Sequence, residues 1–380
     1  MGHNWRVIAP GRDEATGCLG QLIDALLSGS AGGLVSLLAV PLNAHRYENV
    51  EVLPGENVED EDGDLKCTKR SRKRGPPQNH FRKAARIDSH NVNEVVYLGD
   101  PSPKSMSTLP SEIHQKIFAR LDDVIDVLRF SLTNRYFWAV GLLRIEEHIV
   151  RSLAPWAGER IICINDRCDP SKYPPGLLSS EEERKIRELN QVNNLGSSSI
   201  KHSYKKVGGP SLSQKLQDWF CDHRRANPMS KADAMEIMMG LKPEKLELYP
   251  RDQVWILRNL TTKEYVRGEV IALKQDFIHG PQIDVFGFAE VLISRIAWSD
   301  EPERIGRCKN VARGKWAGHR FDVTPLSLLE QLDDGASWVD VSNEVLREID
   351  LMVSGENGDN WRDKLAGQFD RMERATELQL

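Results

Sequence analysis

Cysteine and histidine side chains are the residues of this chain most able to do chemistry. Cys163 and Cys168 flank Ile164 and the polar stretch NDR, a spacing that resembles half of a metal site. A structural zinc site needs four ligands, and no second Cys/His pair follows at a suitable spacing. We therefore expect no metal site at these two cysteines.

His319 is the second candidate, beside Trp316 and Arg320 in a segment with strand-like composition. A lone histidine in a strand usually has a structural role. A deep polar pocket around it, with several ionisable groups converging, would instead favour an enzyme in the carboxy-terminal domain. The sequence names no acid, base or nucleophile to act with His319.

Sequence motifs typical of enzymes are absent from the chain. It contains no GxxxxGK[ST], no GxGxxG between a strand and a helix, no HExxH and no GxSxG. The SGSAGG stretch at Ser28 has the wrong spacing for a nucleophile elbow and is better interpreted as a turn that breaks a helix. We therefore predict a non-catalytic protein without a cofactor.

Residues 109–150 carry a different kind of signal, an excess of apolar surface on short helices. Pro110 suits the first turn of a helix, where its missing N–H is no loss, and Glu112 favours the helix dipole. Leu109 stands at a position where a capping side-chain oxygen is preferred, so its apolar side chain must have a role other than capping. Apolar residues then recur at a spacing of four: Ile113, Ile117 and Leu121, with Phe118 alongside.

Two further helices are predicted after this one. Asp122 and Asp123 offer a cap for the second helix, and Thr133 or Asn134 offers one for the third. Three short helices in about forty residues bury too little surface to use all of these side chains internally. Some of the apolar residues must therefore face either the rest of the chain or a partner.

The motifs of this segment follow in the order LPxEI, IF, L, a DVL helix and LTNRYFW. This order resembles that of the F-box, the helical module that attaches substrate receptors to the Skp-family adaptor of cullin-based ubiquitin ligases. An ordinary helical subdomain is the simpler interpretation. The resemblance implies adaptor-binding roles for nine residues: Leu109, Pro110, Glu112, Ile113, Ile117, Phe118, Leu121, Leu128 and Leu132. It implies a receptor that binds the adaptor, and cullin through it, and presents an unknown protein substrate. The alternative is an F-box-containing scaffold or nuclear interaction protein without a degradation role.

The remainder of the chain predicts an α+β body. A hairpin is indicated by VWILRNL and EYVRGEVIAL, which have strand-like composition. A helix is then indicated by GFAEVLISRIAW, and a return to strand by KWAGHRFDVTP. A further helix is expected from Trp338. Together with PWAGERI and YPPGL, these segments resemble fungal F-box proteins in which the box lies inside a larger chain. No leucine-rich or WD repeat period points to a substrate surface.

The expected organisation has five parts. They are an amino-terminal segment (1–47), a disordered charged linker (48–107), the F-box (108–150), an α+β domain for substrate recognition (151–355) and a charged tail (356–380). WRVIAPGRDE near the start and WILRNLTTKE near Trp255 are similar. The amino-terminal segment is therefore a candidate to fold back onto the carboxy-terminal domain, with chance similarity as the other explanation.

Charge and cysteine usage bear on location and partners. A net charge of -5 argues against a nucleic-acid-binding protein, and six dispersed cysteines suit reduced thiols inside the cell, in the cytoplasm or nucleus. No segment is long and apolar enough for a membrane span. The linker carries a basic run, interpreted as a nuclear-import signal, a solvated tether or a weak nucleic-acid patch: Lys69, Arg70, Arg72, Lys73 and Arg74.

Overall fold

The structure is a computed structural model of a mixed α+β protein. It describes residues 4–27, 29, 31–42, 106, 109–165, 168, 172–192, 204–242, 248–299, 304–305, 308–309, 313–331 and 337–377. The chain divides into two compact units. We call Met1–Tyr47 with Leu142–Leu380 the body, and Glu48–Gly141 the helical unit.

The first sheet of the body joins strands from four distant parts of the chain. In spatial order its strands are β4 (Lys205–Lys206), β2 (Glu14–Ala15), β1 (Trp5–Ala9), β3 (Ile162–Asn165) and β9 (Ala297–Trp298). The amino-terminal strand β1 is central and antiparallel to β3, with Val7 opposite Cys163. Both residues are fully buried, so the strand joins the main core rather than covering its edge.

The second sheet contains the predicted hairpin. Its order is β12 (Phe321–Pro325), β5 (Trp255–Asn259), β6 (Glu264–Arg267) and β13 (Val339–Asp340). Strands β5 and β6 are antiparallel, which confirms the hairpin. The turn is stabilised by the side-chain oxygen of Asn259, which accepts hydrogen bonds from the backbone N–H groups of Thr261 and Thr262. Two short pairs complete the strands: β7 (Ile278–His279) with β8 (Gln282–Ile283), and β10 (Arg304–Ile305) with β11 (Cys308–Lys309).

Two predicted element boundaries were wrong. The second hairpin strand was expected to continue to Leu273, but it ends at Arg267 and the chain turns into a short helix, Gly268–Ile271. The turn allows Ile271 to enter the core, where it is fully buried. The helix expected from Trp338 begins only at Ser342, because residues 339 and 340 pair with β6 instead.

Helix Phe288–Ile296, which we call the central helix, organises the core of the body. The helix itself was predicted, but with one apolar face, whereas all nine of its residues are buried. The reason is that other elements pack around it: helices Leu22–Leu27, Gly33–Leu38 and Ser342–Asn357, and strand β3. The buried Glu290 accepts a hydrogen bond from the backbone N–H of Gly287 at 2.8 Å.

Further helices of the body follow local capping rules where a cap is present. Ser230 accepts a hydrogen bond from the backbone N–H of Asp233, and helix Lys231–Gly240 begins after it. The other helices are Ser180–Val192, Leu212–Ala226, Leu326–Gln331 and Trp361–Glu377. The last of these lies in the segment interpreted as a charged tail. Its first residue, Trp361, is buried against Phe286, with ring centroids 5.6 Å apart.

The helical unit contains the first two predicted helices, which we label α3 (Ser111–Ala119) and α4 (Val124–Ser131), and the start of the third, α5 (Arg135–Arg151). Two of the proposed caps are confirmed. Asp123 accepts from the N–H of Ile125 at 2.7 Å, and Asn134 accepts from the N–H of Phe137 at 2.8 Å.

Apart from Met106, the predicted linker lies outside the described residues, and so does its basic run. Within the residues that are described, every helix is too short or too polar to span a lipid bilayer.

Candidate functional site

An aromatic core holds the helices of the helical unit together. The ring of Phe130 lies between those of Phe118 and Phe137, with centroid distances of 4.9 and 4.8 Å. These rings come from α3, α4 and α5, one from each helix. Aromatic pairs at such distances stabilise beyond the area they bury, so this cluster fixes the three helices against one another.

Gly141 permits the close approach of α5 to the other two helices. A Cβ atom at this position would overlap the side-chain oxygen of Ser131 and the ring of Phe118. Ser131 is itself fully buried and donates its hydroxyl to the carbonyl of Val127 at 2.6 Å. No side chain larger than hydrogen fits at Gly141 without displacing one of these neighbours.

His114 ties helix α3 to the residues before it. Its Nε2 lies 2.8 Å from the carbonyl oxygen of Met106, and its Nδ1 lies 2.7 Å from the hydroxyl of Tyr136. A carbonyl only accepts hydrogen bonds, so Nε2 carries a proton, and in the neutral imidazole Nδ1 accepts from Tyr136. His114 is fully buried. The sequence reasoning missed this residue, whose only signal was a polar side chain between Ile113 and Ile117.

Helix α3 presents an apolar face away from this core. The exposed fractions are 43% for Met106, 37% for Leu109 and 39% for Ile113, and Ile117 is half-buried. Ile113 and Ile117 are four residues apart, which places them on one side of α3, and Leu109 lies two residues before Ser111, the first residue of the helix. We call Met106, Leu109, Ile113 and Ile117 the exposed face.

The nine residues assigned to adaptor binding occupy three kinds of position. Leu109, Pro110, Glu112 and Ile113 are exposed, Ile117, Leu121 and Leu132 are half-buried, and Phe118 and Leu128 are buried. The last two pack inside the helical unit and support the exposed face from beneath. The face has the spacing with which an amphipathic helix inserts apolar side chains into a groove of another protein.

The sequence predicts no metal or catalytic site at Cys163, Cys168 or His319. Cys163 and Cys168 are both buried, and the described part of the chain contains no group of three or more His, Cys, Asp and Glu residues that would hold a metal ion. His319 accepts a hydrogen bond at Nδ1 from the side-chain amide of Asn259, 3.0 Å away. Burial lowers the pKa of His319, and the nearby carboxylate of Glu264 opposes this effect.

Glu264 is itself held in place. Its carboxylate accepts hydrogen bonds from Trp316 Nε1 at 2.7 Å and from the hydroxyl of Thr262 at 2.6 Å. The polar groups around His319 therefore stabilise the hairpin and the segment that returns to β12.

Comparison of the chain with protein-family models, curated proteins and solved structures finds no match. Function is therefore inferred from the residues and geometry of this chain.

Proposed function

We propose that the protein is an F-box-type substrate receptor of a cullin-based ubiquitin ligase. The exposed face would bind the Skp-family adaptor, and the body would present a protein substrate. The single observation that supports the proposal best is the exposure of Leu109, just before α3, and of Ile113 on α3, a helix whose Phe118 already packs into the aromatic core.

The exposed face is too apolar to be explained by the needs of the helical unit. Phe118, Phe130 and Phe137 supply its interior, whereas Leu109 and Ile113 remain more than one-third exposed. Neighbouring apolar side chains in water favour association because each buried square ångström stabilises by about 25 cal/mol. An adaptor groove would bury them.

The size of the expected interface follows from general rules. A stable interface buries on the order of 1,000 Å² or more, and truncation of a central apolar anchor costs about 2 kcal/mol or more. Leu109 and Ile117 are the anchors, since they flank Ile113 and span two turns of the face. Phe118 and Leu128 contribute indirectly by fixing the helix that carries these anchors.

In this function the chain does no covalent chemistry. It raises the effective concentration of a substrate near the charged ubiquitin carrier and orients the target lysines, while other subunits catalyse the transfer. A scaffold held by the same adaptor contact would share the exposed face and would differ only in lacking the link to cullin.

The decisive experiment combines Leu109→Ala and Ile117→Ala in the full chain and measures capture of a purified Skp-family adaptor. We expect capture to fall at least tenfold, with an unchanged circular dichroism spectrum. Met235→Ala is the matched control, because Met235 is 67% exposed on a helix of the body and should leave capture unchanged.

Unchanged capture by the double variant would rule out the proposed face. Affinity purification from cells distinguishes a ligase receptor from a scaffold. A receptor recovers cullin together with the adaptor, whereas recovery of the adaptor without cullin would rule out the ligase role and leave the scaffold.

A further inference from the structure

The body contains a half-open cavity of about 830 Å³. Its walls come from four stretches of the chain, within residues 7–19, 31–37, 152–155 and 206–215, and from Ile293 of the central helix. Small-molecule sites in proteins have volumes of roughly 300 to 1,000 Å³. The cavity is therefore large enough for a ligand, and it reaches down to a fully buried residue of the core, since Ile293 has no exposed surface.

Aliphatic side chains dominate the walls. Leu19, Leu37, Leu153, Val207 and Leu212 all line the cavity and are only partly buried. They belong to different segments, yet they leave apolar surface facing the same space. A polar ligand would gain nothing from these walls, whereas an aliphatic chain would remove their surface from water.

Positive charge lies at one side of the same cavity. Lys206 and Lys215 both line it, as do residues 207–212 between them. Neither ammonium group is paired with a carboxylate among the described residues. Among the described lining residues Glu14 is the one acidic residue, and its carboxylate already accepts a hydrogen bond from Trp156 Nε1 at 2.7 Å.

We infer that this cavity binds an amphipathic anion, a single aliphatic chain that ends in a carboxylate or a phosphate. The chain would lie against the leucine and valine side chains, and the anionic end would lie near Lys206 and Lys215. The inference goes beyond the proposed adaptor function and does not depend on it.

Two other ligand classes fit the cavity less well. A nucleotide base requires an aromatic or planar surface for stacking, and the described residues that line this cavity include no aromatic side chain. A metal ion prefers several carboxylate or imidazole ligands, and the described lining offers only Glu14, which already accepts a hydrogen bond.

Calorimetric titration of the full chain with dodecanoate, dodecyl phosphate and dodecanol tests the inference. We expect one binding site for each anion, below the concentration at which it forms micelles, and at least fivefold weaker binding of the uncharged alcohol. Whichever anion binds more tightly identifies the head group. The double variant K206A/K215A should weaken anion binding roughly fivefold, because two partly exposed ion pairs are lost, and should leave dodecanol unaffected.

The matched control is K205A/K231A, which removes the same charge from two exposed lysines that do not line the cavity. It should bind both anions as the wild type does. A second variant, Leu37→Trp, places a larger side chain in the apolar wall and should weaken all three ligands, with its thermal unfolding temperature reported as a check on folding.

The inference is overturned if the wild-type chain shows no saturable binding of either anion. It is also overturned if dodecanol binds as tightly as the anions, or if K206A/K215A retains wild-type affinity. Because the lysine variant changes only exposed side chains, its result stands even if Leu37→Trp fails to fold.

Discussion

The guanidinium group of Arg258 donates two hydrogen bonds to the carboxylate of Asp322, from Nε at 2.8 Å and from Nη2 at 2.7 Å. The two residues are direct partners across strands β5 and β12, and their side chains are 8% and 9% exposed. Burial makes this pair costly to break, since removing one partner leaves an unpaired charge away from water.

Replacement of Asp322 by Asn should therefore lower the free energy of unfolding by about 3 kcal/mol, measured by urea denaturation. The matched control is Asp222→Asn, which breaks the Arg225–Asp222 pair, whose side chains are 80% and 75% exposed. That change should cost no more than about 0.5 kcal/mol. Equal costs for the two variants would show that the buried pair contributes no more than the surface pair.

Glu290 should make the stability of the body depend on pH. Burial raises the pKa of Glu290 to about 7 from its ordinary value of 4.5, and the hydrogen bond from Gly287 only partly offsets this. Between these two pH values the folded state holds a proton that the unfolded state has lost, so stability from this group falls as pH rises through the window.

Glu290→Gln should remove that dependence, because the amide keeps a carbonyl acceptor for Gly287 and does not ionise. When the pH rises from 5 to 8, the unfolding free energy of the wild type should fall by roughly 3 kcal/mol more than the unfolding free energy of the variant falls. Glu236→Gln, on an exposed helix position, should retain the wild-type profile. Parallel profiles for wild type and Glu290→Gln would contradict the prediction.

Gly141→Ala should destabilise the helical unit by about 1 to 3 kcal/mol, because the added methyl group has no room beside Ser131 and Phe118. Hydrogen exchange of α3 and α4 would measure the loss. Gly367→Ala provides the same substitution inside helix Trp361–Glu377, where the nearest atom to a Cβ is the end of the Arg371 side chain at 3.8 Å. There the change should stabilise by about 0.5 to 1 kcal/mol. Equal destabilisation at both positions would contradict this reasoning.

Tyr136→Phe should weaken the link between α5 and α3 by removing the hydroxyl that contacts His114 Nδ1. The loss of one buried hydrogen bond should lower unfolding free energy by about 1 kcal/mol. Hydrogen exchange should report faster opening of α3, and adaptor capture should fall less than in the Leu109 and Ile117 double variant. Phe277→Leu, remote in sequence and part of the body, should leave exchange in α3 unchanged.

Deletion of residues 1–47 should abolish cooperative thermal unfolding of the body, because the deletion removes β1 and β2, the two strands between β4 and β3. It also removes two helices that pack against the central helix. Deletion of residues 1–3 alone keeps every residue of β1 and should leave the melting temperature unchanged. A cooperative transition at the wild-type temperature after the longer deletion would show that these contacts are dispensable.

Local chemistry explains which elements were predictable. Asp123, Asn134 and Ser230 each cap a helix through a backbone N–H two or three residues away, so their signal lies within one short window. The β5–β6 hairpin is equally local, since Asn259 organises the turn through Thr261 and Thr262. In such cases the sequence pattern and the fold depend on the same few residues.

Distant pairings left no comparable signal. Val7 faces Cys163 across two strands, and Trp156 donates to Glu14 although 142 residues separate them. Adaptor binding was predicted for a set of nine residues, but only the packed helices show that Phe118 and Leu128 among them are buried. The role of His114 and the cavity beside Lys206 depend on contacts between segments that no local pattern specifies.

The central position of β1 has a consequence for the synthesis of this protein. Trp5–Ala9 leaves the ribosome before its neighbour Ile162–Asn165, which begins 153 residues after Ala9. At about 5 to 20 residues per second, the wait is roughly 8 to 30 s. During that interval β1 can pair with β2 but lacks β3, its longer partner, which makes the nascent chain a natural client for chaperones until the second half of the sheet is translated.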